Sequence, residues 1–252
     1  MADAPNERPQ PEPSRLSRPV DNSGAARRLL REARKAALGT LMPDGAPFVS
    51  VVALALEPWG HPIILISRLA VHTRNLARDP RASLLVDGTG DTGNLQDGGR
   101  LSLIGELTPA GAGTHRERYL SRHPDAALYV DFPDFCFHVM TVSRAHYVGG
   151  FGRIADLEPA ALFPDPSACA AVASAERDLL DTILAAPGVA DRLVARVLGD
   201  AMTADGSWRV AGVDAAGLDL VSPSRAVRLD FDAPLATPER VRAEIARLIS
   251  RN

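Results

Sequence analysis

"LISRLAVHTRNLARDPRASLLV", residues 65–86, decides the fold. Its flanks, Ile63–Ile66 and Ala82–Val86, are short apolar runs and read as buried strands. Between them stand Ser67, Arg68, His72, Thr73, Arg74 and Asn75, all donors or cations, followed by Asp79-Pro80. A connection between two core strands needs only a turn. This one predicts a helix over Val71–Arg78, which stops ahead of Pro80 because the residue before a proline avoids helical geometry. The free N–H groups opening such a helix attract anions, and Arg68 and Arg74 add charge. The spacing fits two readings equally: a phosphate monoester held by these donors, or a helix capped by its own side chains.

Outward from this segment, the rest of the chain sets bounds. With 252 residues and 46% hydrophobic side chains it can bury one large core or two modest ones. A net charge of -3 argues against a nucleic-acid partner, which calls for a basic excess. Cys136 and Cys169 cannot build a disulfide framework, and there is no C-x-x-C. The start of the chain lacks the apolar run of a signal peptide, and no stretch approaches the length of a membrane helix. A cytoplasmic protein with no membrane partner is expected.

Residues 1–22, with Pro5, Pro9, Pro11, Pro13 and Pro19, read as a disordered arm. Ser23 is placed to cap a helix reaching Leu38, with Gly39 as its stop. Short strands follow: Phe48–Leu56, Ile63–Ile66, Ala82–Val86, Arg100–Leu107, Phe135–Val142 and Ala145–Phe151. A helix over Thr114–Ser121 interrupts them, its charged residues reading as a solvent face. This is the pattern of a closed or half-closed antiparallel barrel over residues 24–155. Gly149-Gly150-Phe151-Gly152 reads as a tight bend, since no helix follows it. Residues 156–167, with three prolines, read as a linker. Residues 168–252 then predict a small α/β domain: helix over Ala168–Leu198 with a break near Pro187, three strands, and a last helix opened by Thr237-Pro238.

The stretches "GAPFVSVVAL" (45–54), "LISRLAVHTRNLARDPRASLL" (65–85), "RLSLIGEL" (100–107), "RYLSRHPDA" (118–126) and "YVGGFGRI" (147–154) resemble the pyridoxamine-phosphate-oxidase-like FMN-binding split barrels. The resemblance is strongest to the branch of HugZ-type haem-utilisation proteins and covers roughly residues 25–155. It implies an α+β fold, a split β-barrel followed by a small α/β domain, and a homodimer with FMN at the subunit interface. It implies that Ser67, Arg68, His72, Thr73 and Asn75 surround the FMN phosphate and ribityl chain. Ser50, on the strand Pro47–Val51, would lie beside the flavin ring, and Arg100 near its pyrimidine edge, where a guanidinium stabilises the reduced anion. The expected activity is that of a flavin-dependent oxidoreductase. Haem binding or degradation, or a non-catalytic regulatory role, are the alternatives.

The second domain departs from that branch, where it usually opens on a His-Met-Asn…Asp-His motif. All six histidines, His61, His72, His115, His123, His138 and His146, precede residue 147. Haem iron needs a ligand such as His, Cys, Tyr or Met. Beyond Tyr147 only Cys169 and Met202 qualify, so a haem ligand from the second domain is not expected; His115, His123 and His138 are the barrel candidates. No metal-ligand spacing is present.

Overall fold

The computed structural model describes residues 21–90, 98–150, 152–185, 188–199 and 207–250. Most of the arm and Met202 lie outside the described residues. Helix α1, Asn22–Glu32, is capped not by Ser23 but by Asp21, whose carboxylate accepts from the Gly24 N–H (2.7 Å). It ends at Glu32 rather than Leu38, because Lys35–Leu41 is strand β1. Ala36, Leu38 and Thr40 are buried and their neighbours are not, which is the two-residue period of a strand. Its small residues fit a helical stripe equally well; pairing along both edges decides for the strand.

The barrel strands are β2 (Pro47–Ala53), β3 (Ala55–Leu56), β4 (Pro62–Ser67), β5 (Arg81–Asp87), β6 (Arg100–Ala110), β7 (Phe135–Val148) and β8 (Ile154–Leu157). They form a curled antiparallel sheet in the order β2-β1-β5-β6-β7-β4-β3, with β8 on β7. Leu38, Leu84, Leu101, Leu103, Leu107 and Met140 fill the interior, and Ala26 and Leu30 of α1 close it. Helix α2, Val71–Leu76, sits in the β4–β5 connection as expected. Helix α3, Gly113–Arg122, packs Tyr119 against Ile63, Leu65 and Phe137 on the far side of the sheet.

Two expectations for the barrel are corrected. The two strands predicted across 135–151 are one strand, β7, because a bulge absorbs the polar Ser143 where the register with β6 shifts. There Gly105 lies so close to β7 that a Cβ would stand 2.0 Å from the Thr141 carbonyl oxygen. The supposed linker is structured: β8 runs into it, and α4 (Pro159–Leu162) delivers Leu162 and Phe163 to the barrel core. The glycine bend is a turn between β7 and β8, closed by the Gly149 N–H on the Arg153 carbonyl (2.7 Å), with positive φ at Gly150 and Gly152.

The second domain holds α5 (Pro166–Ser174), α6 (Glu176–Leu184), α7 (Val189–Leu198), β9 (Arg209–Asp214), β10 (Gly217–Val221), β11 (Ala226–Asp230) and α8 (Pro238–Ser250). The predicted long helix is thus three helices, the first break lying at Ala175. Its sheet, in the order β11-β10-β9, has its own core of Val172, Leu179, Leu193, Val213, Leu220 and Val241.

Buried charge joins the two domains. Arg31 of α1 lies 3.0 Å from Asp214 and 3.5 Å from Asp219. Arg228 bonds the same two carboxylates at 2.7 and 2.9 Å. Arg118 of α3 pairs with Glu176, and Arg122 donates to the Arg31 and Ala33 carbonyls (2.5 and 2.6 Å). Of the α3 charges expected in solvent, Arg116 and Glu117 stay accessible while Arg118 is buried. The expectation fails at Arg118 because its counter-charge, Glu176, comes from a distant part of the chain.

Candidate functional site

Helix α2 lies against β1 and β2, where the curled sheet is open. Most of its predicted donors are spent on the protein itself. The Thr73 hydroxyl donates to the Ser67 carbonyl (2.6 Å), and the Ser67 hydroxyl donates to the Asp134 carboxylate. Arg68 donates to the Pro133 carbonyl, and Arg74 to that of Leu69 (2.5 Å). Asn75, buried, donates to the Thr40 hydroxyl (3.0 Å) and to the Met42 sulfur (3.6 Å). These bonds fix the turn and pin α2 to β1. Within one chain they do not converge on a common point.

The seam also gathers groups that the sequence does not bring together. Ser50 pairs in register with the buried Leu38 and so faces inward, where its hydroxyl meets His72 Nδ1 (2.9 Å). Cys136 and His138 stand opposite Ile66 and Ile64, residues of the barrel core, so they face the same interior. The Cys136 sulfur lies 3.8 Å from His138 Nδ1. Burial pushes both His72 and His138 below the usual histidine pKa and raises the Cys136 thiol, against the pull of Arg68. At neutral pH the seam thus presents a hydroxyl, a thiol and two uncharged imidazoles.

Arg100 is elsewhere. It pairs with Asp87 at the end of the sheet where β1 begins, whereas Asn75 bonds Thr40 near the end of β1. Five residue steps along the strand separate Lys35 from Thr40, about 17 Å. Arg100 also faces outward, opposite to Ser50. Its Nε is buried and has no hydrogen-bond partner among the described residues. On this outer face Val49 and Val51 are 66% and 72% exposed, and Leu85 is exposed beside them.

The other histidines are committed. His115 has one ring nitrogen on the Gly111 carbonyl (2.7 Å) and the other on Glu57 (2.9 Å). His123 Nε2 meets the Leu54 carbonyl (2.8 Å), and burial lowers its pKa to about 4. His146 pairs with Asp156, and His61 stacks edge-on against Phe163. Glu57, which also accepts from the Trp59 indole (2.6 Å), is a buried carboxylate that no motif signals. Among the described residues no group of three His, Cys, Asp or Glu is placed to hold a metal ion, and no helix is long and apolar enough to cross a membrane.

Fold and seam define an α+β split-barrel protein with an appended small α/β domain. A model of the CREG beta-barrel matches residues 18–163, and the chain belongs to that family. Over 112 residues it is 38% identical to the chloroplastic non-canonical heme oxygenase HOZ of Arabidopsis thaliana. That match takes in 42% of this chain and 33% of the plant protein, so the chain spans about a third of that relative's length. The protein Atu2129 of Agrobacterium tumefaciens, of unknown function, superposes with a TM-score of 0.80 at 27% identity, covering 95% of this chain and 100% of that one. A heme binding protein of Mycobacterium smegmatis does so with a TM-score of 0.55 at 28% identity, covering 94% and 98%. The barrel fold expected from the sequence is thereby supported.

Proposed function

We propose that this protein binds haem, on the pattern of the HugZ-type haem-utilisation branch. The observation that carries the reading is the likeness to the mycobacterial heme binding protein, which runs through both domains rather than the barrel alone. Iron takes imidazole in its neutral form, and the seam supplies it: burial holds His138 uncharged, while His115 has both ring nitrogens engaged. His138 is the barrel residue that fits an iron ligand, with Cys136 beside it; Cys169 is the second-domain candidate. Haem supplies redox-active iron when bound, and the chain supplies burial and a ligand. Titration with haemin tests this. A Soret band saturating at one haem per chain is expected, lost in His138→Ala and retained in Cys169→Ala. No saturable band would overturn the reading.

FMN is the second reading, favoured by one observation: the buried, unpartnered Nε of Arg100 on the outer face. Parallel titration with FMN and riboflavin separates it, since a phosphate-dependent site prefers FMN. The same face, with Val49, Val51 and Leu85 exposed, is proposed to meet a second copy of the chain. Light scattering that gives a monomer mass at micromolar concentration would exclude that homodimer.

A further inference from the structure

Three arginines at the domain junction are balanced: Arg31 and Arg228 share Asp214 and Asp219, and Arg118 pairs with Glu176. Three others are not. Among the described residues Arg34, Arg122 and Arg209 form no ion pair and donate instead to backbone carbonyls. Arg34, between α1 and β1, reaches those of Ser222 and Pro223 (2.6 and 2.5 Å), and Arg209, at the start of β9, that of Ser121. A carbonyl satisfies a donor without cancelling a full charge. Strand pairing brings these cations to one corner: Arg209 stands opposite Val221, so the Ser222 that Arg34 holds is the next residue along. Ser121 adjoins Arg122 and His123 at the end of α3, and His123 bonds the Leu54 carbonyl while the Leu54 N–H bonds that of Arg34 (2.9 Å).

The charges act on one another. Burial first, and then the Arg34 guanidinium, hold Arg209 below the ordinary arginine range. His123 is pushed down by burial and then by Arg122, Arg34 and Arg209. Two carboxylates face the group. Asp219 acts on Arg122 but is already bonded by Arg228, and Asp125, exposed in the turn after α3, acts on Arg209. Arg122 is buried, whereas Arg34 and Arg209 are half-buried and have donors left over once these carbonyls are served. Two guanidinium forks suit an anion with several oxygens, and a single negative charge leaves most of the surplus in place. We propose that this corner binds a dianionic phosphate group, free or carried on a small molecule, between Arg34 and Arg209, with Arg122 contributing charge but no contact. The site is separate from the barrel seam and rests on neither the haem nor the FMN reading.

The test is calorimetric titration of the full chain at pH 8, where phosphate is a dianion, at constant ionic strength. Inorganic phosphate, phenyl phosphate and acetate are the probes. Phosphate should saturate one site per chain, with acetate far weaker. Tighter binding of phenyl phosphate marks a site for an ester, and equal binding a site for the phosphate group alone. Arg209→Gln and Arg34→Gln should each weaken phosphate by about tenfold or more, the loss expected when a hydrogen bond to a charged group is removed. Arg100→Gln, on the outer barrel face, should leave it unchanged. Asp125→Asn removes the competing carboxylate and should tighten phosphate by about threefold, a gain that a purely structural cluster does not give. Should Arg34→Gln fail to fold, Arg209→Gln and Asp125→Asn carry the test. No saturable phosphate binding, acetate binding as tightly as phosphate, or affinity that survives Arg209→Gln and is lost in Arg100→Gln would each overturn the proposal.

Discussion

The α2 connection and the domain junction are both crowded with polar side chains, yet they hold together by different means. Around α2 the bonds are mostly from hydroxyl, amide or guanidinium donors to carbonyls and hydroxyls, and they range from exposed to buried. At the junction full charges oppose each other out of water. A neutral hydrogen bond contributes on the order of 1 kcal/mol net, whereas removing one partner of a buried ion pair costs about 3–5 kcal/mol because the other charge is stranded. The segment that the sequence advertises is therefore the energetically modest one, and the junction, which nothing advertises, is the fragile one.

The largest effect should come from Arg228→Leu, which takes from Asp214 and Asp219 a buried cation bonded to both and leaves them to share Arg31. A loss of about 3–5 kcal/mol in urea-unfolding stability is expected; a loss under about 1 kcal/mol would show the junction to be as forgiving as the α2 turn. Next comes acid. The folded-state pKa of His123 is lowered to about 4 by burial, against an ordinary histidine value of 6.5. Between those values the unfolded chain binds the proton and the folded one does not, so stability falls as pH drops from 6.5 towards 4. The contribution is roughly 3 kcal/mol at most. His123→Gln, measured in urea at pH 4.5 and pH 7.5, should flatten that slope; an unchanged slope would place the acid sensitivity elsewhere. Thr73→Val removes the hydroxyl bonded to the Ser67 carbonyl and should cost about 1 kcal/mol. Arg68→Ala, at an exposed side chain bonded to one carbonyl, should leave the melting temperature unchanged. If Arg68→Ala proves more damaging than Thr73→Val, the contrast between the two regions fails at its mild end.

The legible parts of the fold are those where local pattern and tertiary need agree. β4, α2 and β5 were readable because apolar runs, a helix and a proline stop fall in sequence order. β1 is not legible because Ala36 and Ala37 suit a helix and a strand alike, and its two neighbours, β2 and β5, supply the deciding hydrogen bonds. The prolines at 159–166 suggested a loop, but Pro159 sits in the first turn of α4, where it is tolerated. The site divides in the same way. The donors of α2 are contiguous and therefore legible in the sequence. Cys136 and His138 reach the same interior only through pairing with β4, and Arg118 looks like a surface residue until Glu176 is brought to it.

The junction also has an order in time. A chain grows from its N-terminus, and domains fold as they emerge. Arg34 and the Ser222 carbonyl it donates to are 188 residues apart, and Arg31 meets Asp214 across a similar span. During synthesis the barrel is complete while Asp214, Asp219 and Glu176 are still to come or still undocked. Arg31, Arg34, Arg118 and Arg122 then form a cationic rim open to water. That uncovered charge would favour the solubility of a half-made protein until the second domain docks and covers it.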